Sequence, residues 1–364
     1  MKYYVVAGEA SGDLHGANLV HNIFLKDPEA QVRAWGGERL EKEGATIVKY
    51  LDEMSFMGFV EVFLSLPKIL GLLNYCKSDI KSYNPDVIIL IDYPGFNLRI
   101  AEFAHKLGYK VVFYISPQIW AWNKSRVYKI KRNVDLMIPI LPFEKDFYER
   151  YGVNVKYFGH PLLDEIGDRC KVDGDRNEDI ALLPGSRKSE IQRMLPVFVE
   201  VAKRFPEQKF IIAAMSVHGK EYYERVCGCS VPDNVQLVFD KTYDVLSQSG
   251  VALVTSGTAT LETALFKVPQ VVCYKTSGIT YMIARVLTSV KYISLVNLIL
   301  DKQLVKELIQ GGCNVGSISE EMQKLLYDTE YVSGMMDGYD ELRVKLGNVD
   351  ASRLIAEEIT KKPL

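Results

Sequence analysis

The chain has 364 residues, of which 48% are hydrophobic and 25% charged, a composition that excludes both a mostly disordered chain and a small disulfide-stapled scaffold. Lysine and arginine total 44 against 46 aspartate and glutamate residues, so the formal charge of −2 gives no general polyanion-binding surface and no indication of a nucleic-acid partner. At roughly 150 residues per domain, this length predicts two domains.

The six cysteines and five histidines follow no zinc-binding spacing, so we predict reduced thiols and no metal site. No segment reaches the roughly 18 consecutive apolar residues of a membrane span, and the apolar part of MKYYVVAGEASGD is too short for a signal peptide. We therefore expect a soluble protein, or one that attaches to a membrane from the side.

Short apolar runs rich in β-branched residues alternate with stretches of helical periodicity, which is typical of parallel sheets wrapped by helices. The first series predicts strands at about residues 2–7, 31–35, 86–92, 110–115 and 134–140. The second series predicts strands at about residues 179–184, 208–214, 235–239, 250–255 and 269–274. Helices are expected at about 302–311, 316–328 and 350–361, the last with Asp350 as its N-cap.

The charged segment 167–179 separates the two series and is the predicted linker. We expect two doubly wound, Rossmann-like α/β domains that face a cleft, with ligands at the carboxyl ends of the strands. The predicted N-terminal domain comprises residues 1–166 and is completed by the C-terminal helix at 347–364. The predicted second domain comprises residues 167–346.

Two motifs of the first series follow strands. GEASGDLHG at 8–16 has glycines that either let a helix pack closely on the sheet or admit an anionic ligand, and Glu9 and Ser11 favour a ligand site. In LIDYPGFN at 90–97, Asp92 ends a buried strand. An aspartate there is either a turn residue or a catalytic carboxylate.

Two further segments of the first series point to lipid. After Trp120 and Trp122, the sequence places five basic residues with no acid between them: Lys124, Arg126, Lys129, Lys131 and Arg132. They form either a solvated helix face or a phosphate-binding surface at a membrane. The stretch 54–76 carries only Glu61 and Lys68 as charges, so its apolar surface is buried in protein or laid into lipid. Its candidate membrane or acyl-chain contacts are Phe59, Phe63, Leu70 and Leu73.

The second series carries two motifs suited to a nucleotide. LLPGSRKSEIQ at 182–192 places Gly185, Ser186 and Arg187 after a strand, where a guanidinium can hold a phosphate, while Ser189 and Gln192 predict a capping box. In VTSGTATLE, Ser256, Gly257 and Thr258 open a helix and Glu262 follows in the next turn. That arrangement suits a pyrophosphate and a ribose, with ordinary N-capping as the alternative.

Taken in order, these motifs closely resemble the lipid-A-disaccharide synthase family, inverting glycosyltransferases that act in lipopolysaccharide biosynthesis for the Gram-negative outer membrane. The resemblance covers nearly the whole chain, through GEASGD, LIDYPGFN, SPQIWAW, GHPLLD, LLPGSR, SGTATLE and VNLILDKQLVKELIQ. It implies the glycosyltransferase-B fold, peripheral attachment to the cytoplasmic face of the inner membrane and, in some members, a homodimer that exchanges C-terminal segments.

The reaction implied by this resemblance joins UDP-2,3-diacylglucosamine to 2,3-diacylglucosamine 1-phosphate (lipid X). The products are the β(1→6)-linked tetraacyl disaccharide 1-phosphate and UDP. An inverting transfer needs a base for the acceptor hydroxyl and a positive environment for the leaving UDP. We expect Asp92 to be the base and Glu262 to hold the ribose. The pyrophosphate is expected to be held by Arg187, Ser256, Gly257 and Thr258.

By resemblance, Glu9, Ser11 and Asn297 join the substrate cleft. No cofactor or metal is expected, and the triplet from Asp173 to Asp175 is expected to be solvated. Two alternatives remain. One is another two-domain UDP-sugar enzyme, such as an N-acetylglucosaminyl transferase or a UDP-sugar epimerase, and the other is a non-catalytic ligand-binding protein.

Overall fold

The computed structural model describes residues 1–54, 66–170, 177–228, 231–278, 281–282, 290–347 and 349–361. The chain divides into two units, one formed by Met1–Glu165 with the segment from Leu346 onward, and the other by Ile166–Lys345. Within the described residues, each unit contains a six-stranded parallel sheet.

The strands of the first unit are β1 (Lys2–Ala7), β2 (Gln31–Gly36), β3 (Thr46–Tyr50), β4 (Val87–Ile91), β5 (Lys110–Tyr114) and β6 (Leu136–Ile138). Those of the second are β7 (Ile180–Leu183), β8 (Phe210–Ala214), β9 (Val235–Phe239), β10 (Val251–Thr255), β11 (Gln270–Tyr274) and β12 (Lys306–Ile309). The sheets have the orders β3-β2-β1-β4-β5-β6 and β12-β11-β10-β7-β8-β9. Both orders are doubly wound, with a reversal between the first and fourth strands of the unit.

The helices up to residue 166 are α1 (Ala10–Lys26), α2 (Glu38–Lys42), α3 (Leu51–Met54), α4 (Leu66–Tyr83), α5 (Pro94–Lys106), α6 (Ile119–Trp122), α7 (Val127–Asn133), α8 (Pro142–Arg150) and α9 (Leu162–Ile166). They are followed by α10 (Lys188–Lys203), α11 (Lys220–Val226), α12 (Thr242–Gln248), α13 (Ala259–Leu265), α14 (Leu295–Leu300), α15 (Val315–Tyr327), α16 (Thr329–Leu346) and α17 (Ala351–Ile359). None of the described helices combines the length and hydrophobicity that crossing a membrane requires.

The first sheet is covered on both faces because its central strands are continuously apolar. Successive side chains of a strand point to opposite faces, so Tyr4 and Val6 enter one core cluster and Tyr3 and Val5 the other. The second cluster also contains Ile355 and Ile359 of α17, which packs against α1. The last helix of the chain therefore completes the core of the first unit.

The expected helix at 302–311 is wrong. This segment contains β12, which pairs with β11 in the register Cys273↔Leu308, followed by a 3₁₀ turn at Gln310–Gly312. The apolar spacing of LVKELI is compatible both with one face of a helix and with an edge strand. Hydrogen bonding to β11 makes this segment a strand in the folded chain. Every predicted strand is present with ends shifted by at most two residues, and the helices expected at 316–328 and 350–361 are confirmed as α15 and α17.

Candidate active site

The reversal of the first sheet lies between β1 and β4, and ligands of doubly wound sheets bind beyond the carboxyl ends of strands at such a point. Glu9 follows β1 and Asp92 follows β4. Two acidic residues therefore follow the two strands that flank the reversal.

The turn that carries Asp92 has an unusual backbone that its neighbours hold in place. Asp92 and Tyr93 both have left-handed φ angles, 46° and 47°. The amide of Asn97 donates to the carbonyl oxygens of Asp92 at 2.8 Å and Ile91 at 3.2 Å. A Cβ at Gly8 would lie 2.3 Å from Cγ of Tyr93, so only glycine admits the tyrosine ring there. Backbone strain maintained by such contacts is characteristic of functional turns.

The surroundings of Asp92 change its acidity. Burial, together with the smaller effect of the negative charge of Glu9, raises the pKa of Asp92 to about 6, although a hydrogen bond from the backbone N–H of Tyr93 opposes the increase. A carboxylate with this pKa is mostly ionised at neutral pH and is still basic enough to accept a proton. These are the properties of a general base.

The other residues of GEASGDLHG form two groups, one packed inside the unit and one exposed to solvent. Cβ atoms placed at Gly12 and Gly16 would lie 3.6 Å and 3.0 Å from the side chain of Ile91, so both glycines bring α1 close to the sheet. Asp13 is buried and accepts hydrogen bonds from backbone N–H groups at the start of α2, including that of Gly37 at 2.6 Å. Glu9 and Ser11 are exposed and remain available to a ligand.

The reversal of the second sheet lies between β7 and β10, and a pocket of about 370 Å³ opens at the carboxyl ends of these strands. The pocket brings together all the predicted donor-site residues: Gly185, Ser186, Arg187, Ser256, Gly257, Thr258 and Glu262. Its wall also includes residues that the sequence analysis missed, namely Leu183, Glu190, Ala213, Met215, Thr242, Thr255 and Ala259. Arg187 is 78% exposed, so its guanidinium is accessible to a ligand.

The predicted capping box of Ser189 and Gln192 is wrong. Helix α10 begins at Lys188, and the carboxylate of Glu190 accepts hydrogen bonds from the backbone N–H groups of Ser186 and Arg187, each at 3.2 Å. The spacing of Glu190 three residues after Arg187 is the signal that identifies this cap in the sequence.

N-capping does not explain the hydroxyl residues that precede α13. The Ser256 hydroxyl donates to the carbonyl oxygen of Ile293 at 2.8 Å, and Thr258 occupies the N-cap position without a side-chain capping bond. The alternative explanation for these two residues is therefore not supported. Their places in the pocket wall are consistent with a role in ligand binding.

Glu262 is oriented by an aromatic neighbour. The Tyr243 hydroxyl donates to Oε1 of Glu262 at 3.2 Å, and the Tyr243 ring stacks on Phe266 with centroids 5.3 Å apart. This pairing fixes a carboxylate in the pocket wall, where it can accept hydrogen bonds from ligand hydroxyls.

Asn297 is fully buried and does not line the described pocket. Its amide nitrogen donates to the carbonyl oxygen of Val305 at 2.8 Å and to Glu307 at 2.9 Å, while its oxygen accepts from the backbone N–H groups of Leu304 and Val305. The Asn297 side chain therefore stabilises the backbone segment that leads into β12 and does not face the described pocket.

The candidate lipid-contact residues differ in their solvent exposure. Phe59 and Phe63 lie outside the described residues. Leu70 is 58% exposed on α4, whereas Leu73 is buried in the core and is not at the surface. Pro67 lies in the first turn of α4, where proline is well tolerated.

The basic segment extends from the end of α6 through α7. Lys124, Lys129, Lys131 and Arg132 are exposed, and the guanidinium of Arg126 lies 4.6 Å from the centre of the half-exposed Trp122 ring. Lys129 also forms an ion pair with Glu102 at 2.9 Å, so α5 neutralises part of the charge. Trp120 is anchored differently, since its indole N–H donates to buried Glu144 at 2.9 Å.

Among the described residues, no cluster of three or more histidine, cysteine, aspartate or glutamate side chains is suited to hold a metal ion. The triplet from Asp173 to Asp175 lies outside those residues.

Comparison with known proteins identifies relatives along almost the whole chain. A family model described as lipid-A-disaccharide synthetase matches residues 3–358. The lipid-A-disaccharide synthase of Syntrophus aciditrophicus is 39% identical over 355 residues, covering 94% of this chain and 93% of the relative. That of Geobacter sulfurreducens is 37% identical over 368 residues, covering 97% of this chain and 94% of the relative.

Solved structures show the same fold at low identity. A UDP-GlcNAc 2-epimerase from Neisseria meningitidis bound to UDP-GlcNAc aligns over 100% of both chains, with a TM-score of 0.63 and 14% identity. The glycosyltransferase of kitacinnamycin aligns over 98% of both chains, with a TM-score of 0.66 and 13% identity. These likenesses identify the glycosyltransferase-B fold, in which two Rossmann-like domains occur in one chain.

Proposed function

Since the chain belongs to the lipid-A-disaccharide synthase family of UDP-sugar-dependent glycosyltransferases, we propose that it transfers 2,3-diacylglucosamine from its UDP derivative to lipid X. The products are the β(1→6)-linked tetraacyl disaccharide 1-phosphate and UDP. The family match over residues 3–358 is the observation that carries this proposal. The structure supports it by providing a half-buried acid in one unit and a pocket lined by an exposed arginine in the other.

In the proposed reaction, Asp92 accepts the proton of the acceptor 6-hydroxyl while that oxygen attacks the anomeric carbon of the donor. The new carbon–oxygen bond forms as the bond to the UDP phosphate breaks, and UDP leaves with the electron pair. A single displacement converts the α-linked donor into the β-linked product. The pKa of about 6 suits Asp92 to this step because the base is ionised before the proton arrives.

The pocket of the second unit is proposed to hold UDP. Arg187 donates to the phosphates, and Gly185, Ser186, Ser256, Gly257 and Thr258 form the surrounding wall. The arginine neutralises the negative charge that develops on the leaving phosphate. Electrostatic stabilisation of this kind is usually the largest single contribution to catalysis. Glu262, oriented by Tyr243, is proposed to accept hydrogen bonds from the ribose.

The decisive experiment incubates the pure protein with UDP-2,3-diacylglucosamine and lipid X and analyses the lipids by mass spectrometry. The expected product has the mass of the tetraacyl disaccharide 1-phosphate. A parallel incubation with UDP-N-acetylglucosamine, followed for transfer and epimerisation, tests the alternative enzymes. Absence of the disaccharide together with turnover of UDP-N-acetylglucosamine would reject the proposal.

The protein is proposed to reach its lipid substrates on the cytoplasmic face of the inner membrane. Leu70 and Trp122 expose apolar surface, and Lys124, Lys131 and Arg132 supply positive charge for anionic headgroups. Co-sedimentation with anionic vesicles should weaken in Leu70→Ser and in the double variant Lys131→Glu and Arg132→Glu. Leu25→Ser is the matched control, since Leu25 is 65% exposed on α1 and is not part of the proposed surface. Equal binding by all these variants would contradict the membrane-facing assignment.

The resemblance to the family also supports a homodimer. Sedimentation equilibrium should then give twice the chain mass of 41.2 kDa.

A further inference from the structure

Glu190 occupies an unusual position in the pocket of the second unit. From the first turn of α10 its carboxylate turns back over the loop after β7, where it accepts from the backbone N–H groups of Ser186 and Arg187 at 3.2 Å. Its second oxygen lies 3.4 Å from Nη1 of Arg187. The Glu190 side chain is 22% exposed, against 78% for Arg187.

The loop is shaped to admit this carboxylate. Gly185 has φ +103°, and a Cβ at that position would lie 2.5 Å from Oε2 and 2.7 Å from Cβ of Glu190. Any larger residue at 185 would therefore collide with Glu190 in addition to being strained. The glycine of LPGSR thus permits close contact between the loop and the acid.

The groups that Glu190 contacts are those that an incoming phosphate would use. Two backbone N–H groups beside an arginine form an anion-binding arrangement, and a carboxylate oxygen satisfies it much as a phosphate oxygen does. Both Glu190 and Arg187 line the pocket, so a phosphate bound there would meet a negative charge already in place.

We infer that Glu190 is an internal competitor for the phosphate groups of UDP and of the UDP-sugar. Its carboxylate occupies the anion position formed by the loop N–H groups and Arg187, and it must be displaced when the nucleotide binds. Its charge lowers the affinity for UDP and speeds the release of that product, while it keeps the N–H groups of the loop satisfied between turnovers. This inference rests on the proposed function, because it assumes that the pocket holds UDP.

The test uses calorimetry with UDP and with uridine, which has no phosphate. Glu190→Gln removes the charge and keeps the shape and an accepting oxygen, so UDP should bind about two- to tenfold more tightly, whereas uridine should bind as to the wild type. Stopped-flow release of UDP should slow by a similar factor. A purely structural cap predicts the opposite, since weakening it would loosen the loop and reduce UDP affinity.

Glu190→Ala provides a second variant in which the competing charge is also absent, and Glu200→Gln on the exposed face of α10 is the matched control. UDP affinity equal to or weaker than wild type in both Glu190 variants would overturn the inference. Arg187→Ala separates this failure from a failure of the proposed function. If Arg187→Ala weakens UDP binding while the Glu190 variants do not strengthen it, only the competition is rejected. If the wild type binds no UDP, the site and the competition fail together.

Discussion

Asp164 accepts a hydrogen bond from the backbone N–H of Ser352 at 2.9 Å, across 188 positions of sequence. Its other oxygen accepts from the N–H of Ala351 at 3.0 Å. Asp350 holds the N-cap position of α17 but has a left-handed φ of 69° and makes no capping bond. The N-cap function therefore comes from the GHPLLD segment, which ties the C-terminal helix to the rest of its unit.

Asp164→Ala is expected to destabilise the protein by about 1 kcal/mol, the usual cost of losing an N-cap, because the first N–H groups of α17 lose their acceptor. The free energy of unfolding from urea titration measures the effect. Asp350→Asn is the matched control and should have a much smaller effect, because asparagine tolerates the left-handed backbone at this position. Equal losses in the two variants would contradict the assignment of the cap to Asp164.

This cap shows why the sequence predicts some features and not others. Asp350 has the residue type and position of a local N-cap, and the helix is where the sequence predicts it. The capping group nevertheless comes from a residue far away in sequence, which no local pattern contains. Gly8 is a similar case, because its role in the Asp92 turn depends on a contact with the ring of Tyr93, which is far away in sequence.

The two strands that the sequence did not predict, β3 and β12, occupy similar positions in their sheets. β3 and β12 are both edge strands, and both have mostly half-buried or exposed side chains. Central strands such as β4 are buried on two faces and therefore have continuous apolar runs that are easily recognised. The pocket residues were predicted because they follow central strands at the reversal of the sheet, whereas Thr242 and Met215 carry no comparable motif.

Asp92→Asn is expected to reduce kcat by a factor of about 10² to 10⁴ if Asp92 is the general base. The affinity for UDP should remain near wild type, because Asp92 belongs to the unit that does not contain the proposed UDP pocket. Asp86→Asn, just before the same strand, is the matched control. Near-normal turnover in Asp92→Asn would remove Asp92 from the mechanism.

Glu9→Gln is expected to move the acidic limb of the kcat/KM profile to lower pH. Burial and the charge of Glu9 both raise the pKa of Asp92, so removing that charge leaves burial alone and lowers the pKa. The wild-type limb should lie near pH 6, where Asp92 becomes protonated. Glu38→Gln, an exposed acid on α2, should leave the limb unchanged. A limb that does not move in Glu9→Gln would show that another group controls it.

Arg187→Ala is expected to weaken UDP binding and to reduce kcat as well, because a charge-assisted contact to the leaving phosphate is lost in both the ground state and the transition state. Uridine affinity should change little, since uridine has no phosphate. Arg193→Ala, on the helix that follows Arg187 and outside the pocket wall, is the matched control. Calorimetry that finds equal UDP affinity in wild type and Arg187→Ala would count against the arginine as a phosphate ligand.

His15 and His160 make the stability of the first unit sensitive to acid. Burial lowers the pKa of His15 to about 4 and, together with the charge of His15, that of His160 to about 3. Between these values and the ordinary histidine pKa of about 6.5, the unfolded chain binds protons that the folded chain does not, so stability falls as pH falls. The slope is up to about 1.4 kcal/mol per pH unit for each histidine. Asp92 and Glu144 act in the opposite sense. Their pKa values are raised to about 6 and about 7, so the folded chain binds protons that the unfolded chain has lost, and the stability gained from this binding is lost as pH rises.

The difference between wild type and His160→Asn isolates one of these histidines. Asparagine can keep the acceptor that Nδ1 of His160 offers to the N–H of Leu162 at 3.1 Å, while it cannot take up a proton. Urea midpoints measured from pH 7 to pH 4 should therefore fall less steeply in His160→Asn than in wild type. Parallel curves for wild type and His160→Asn would show that His160 does not cause the loss of stability in acid.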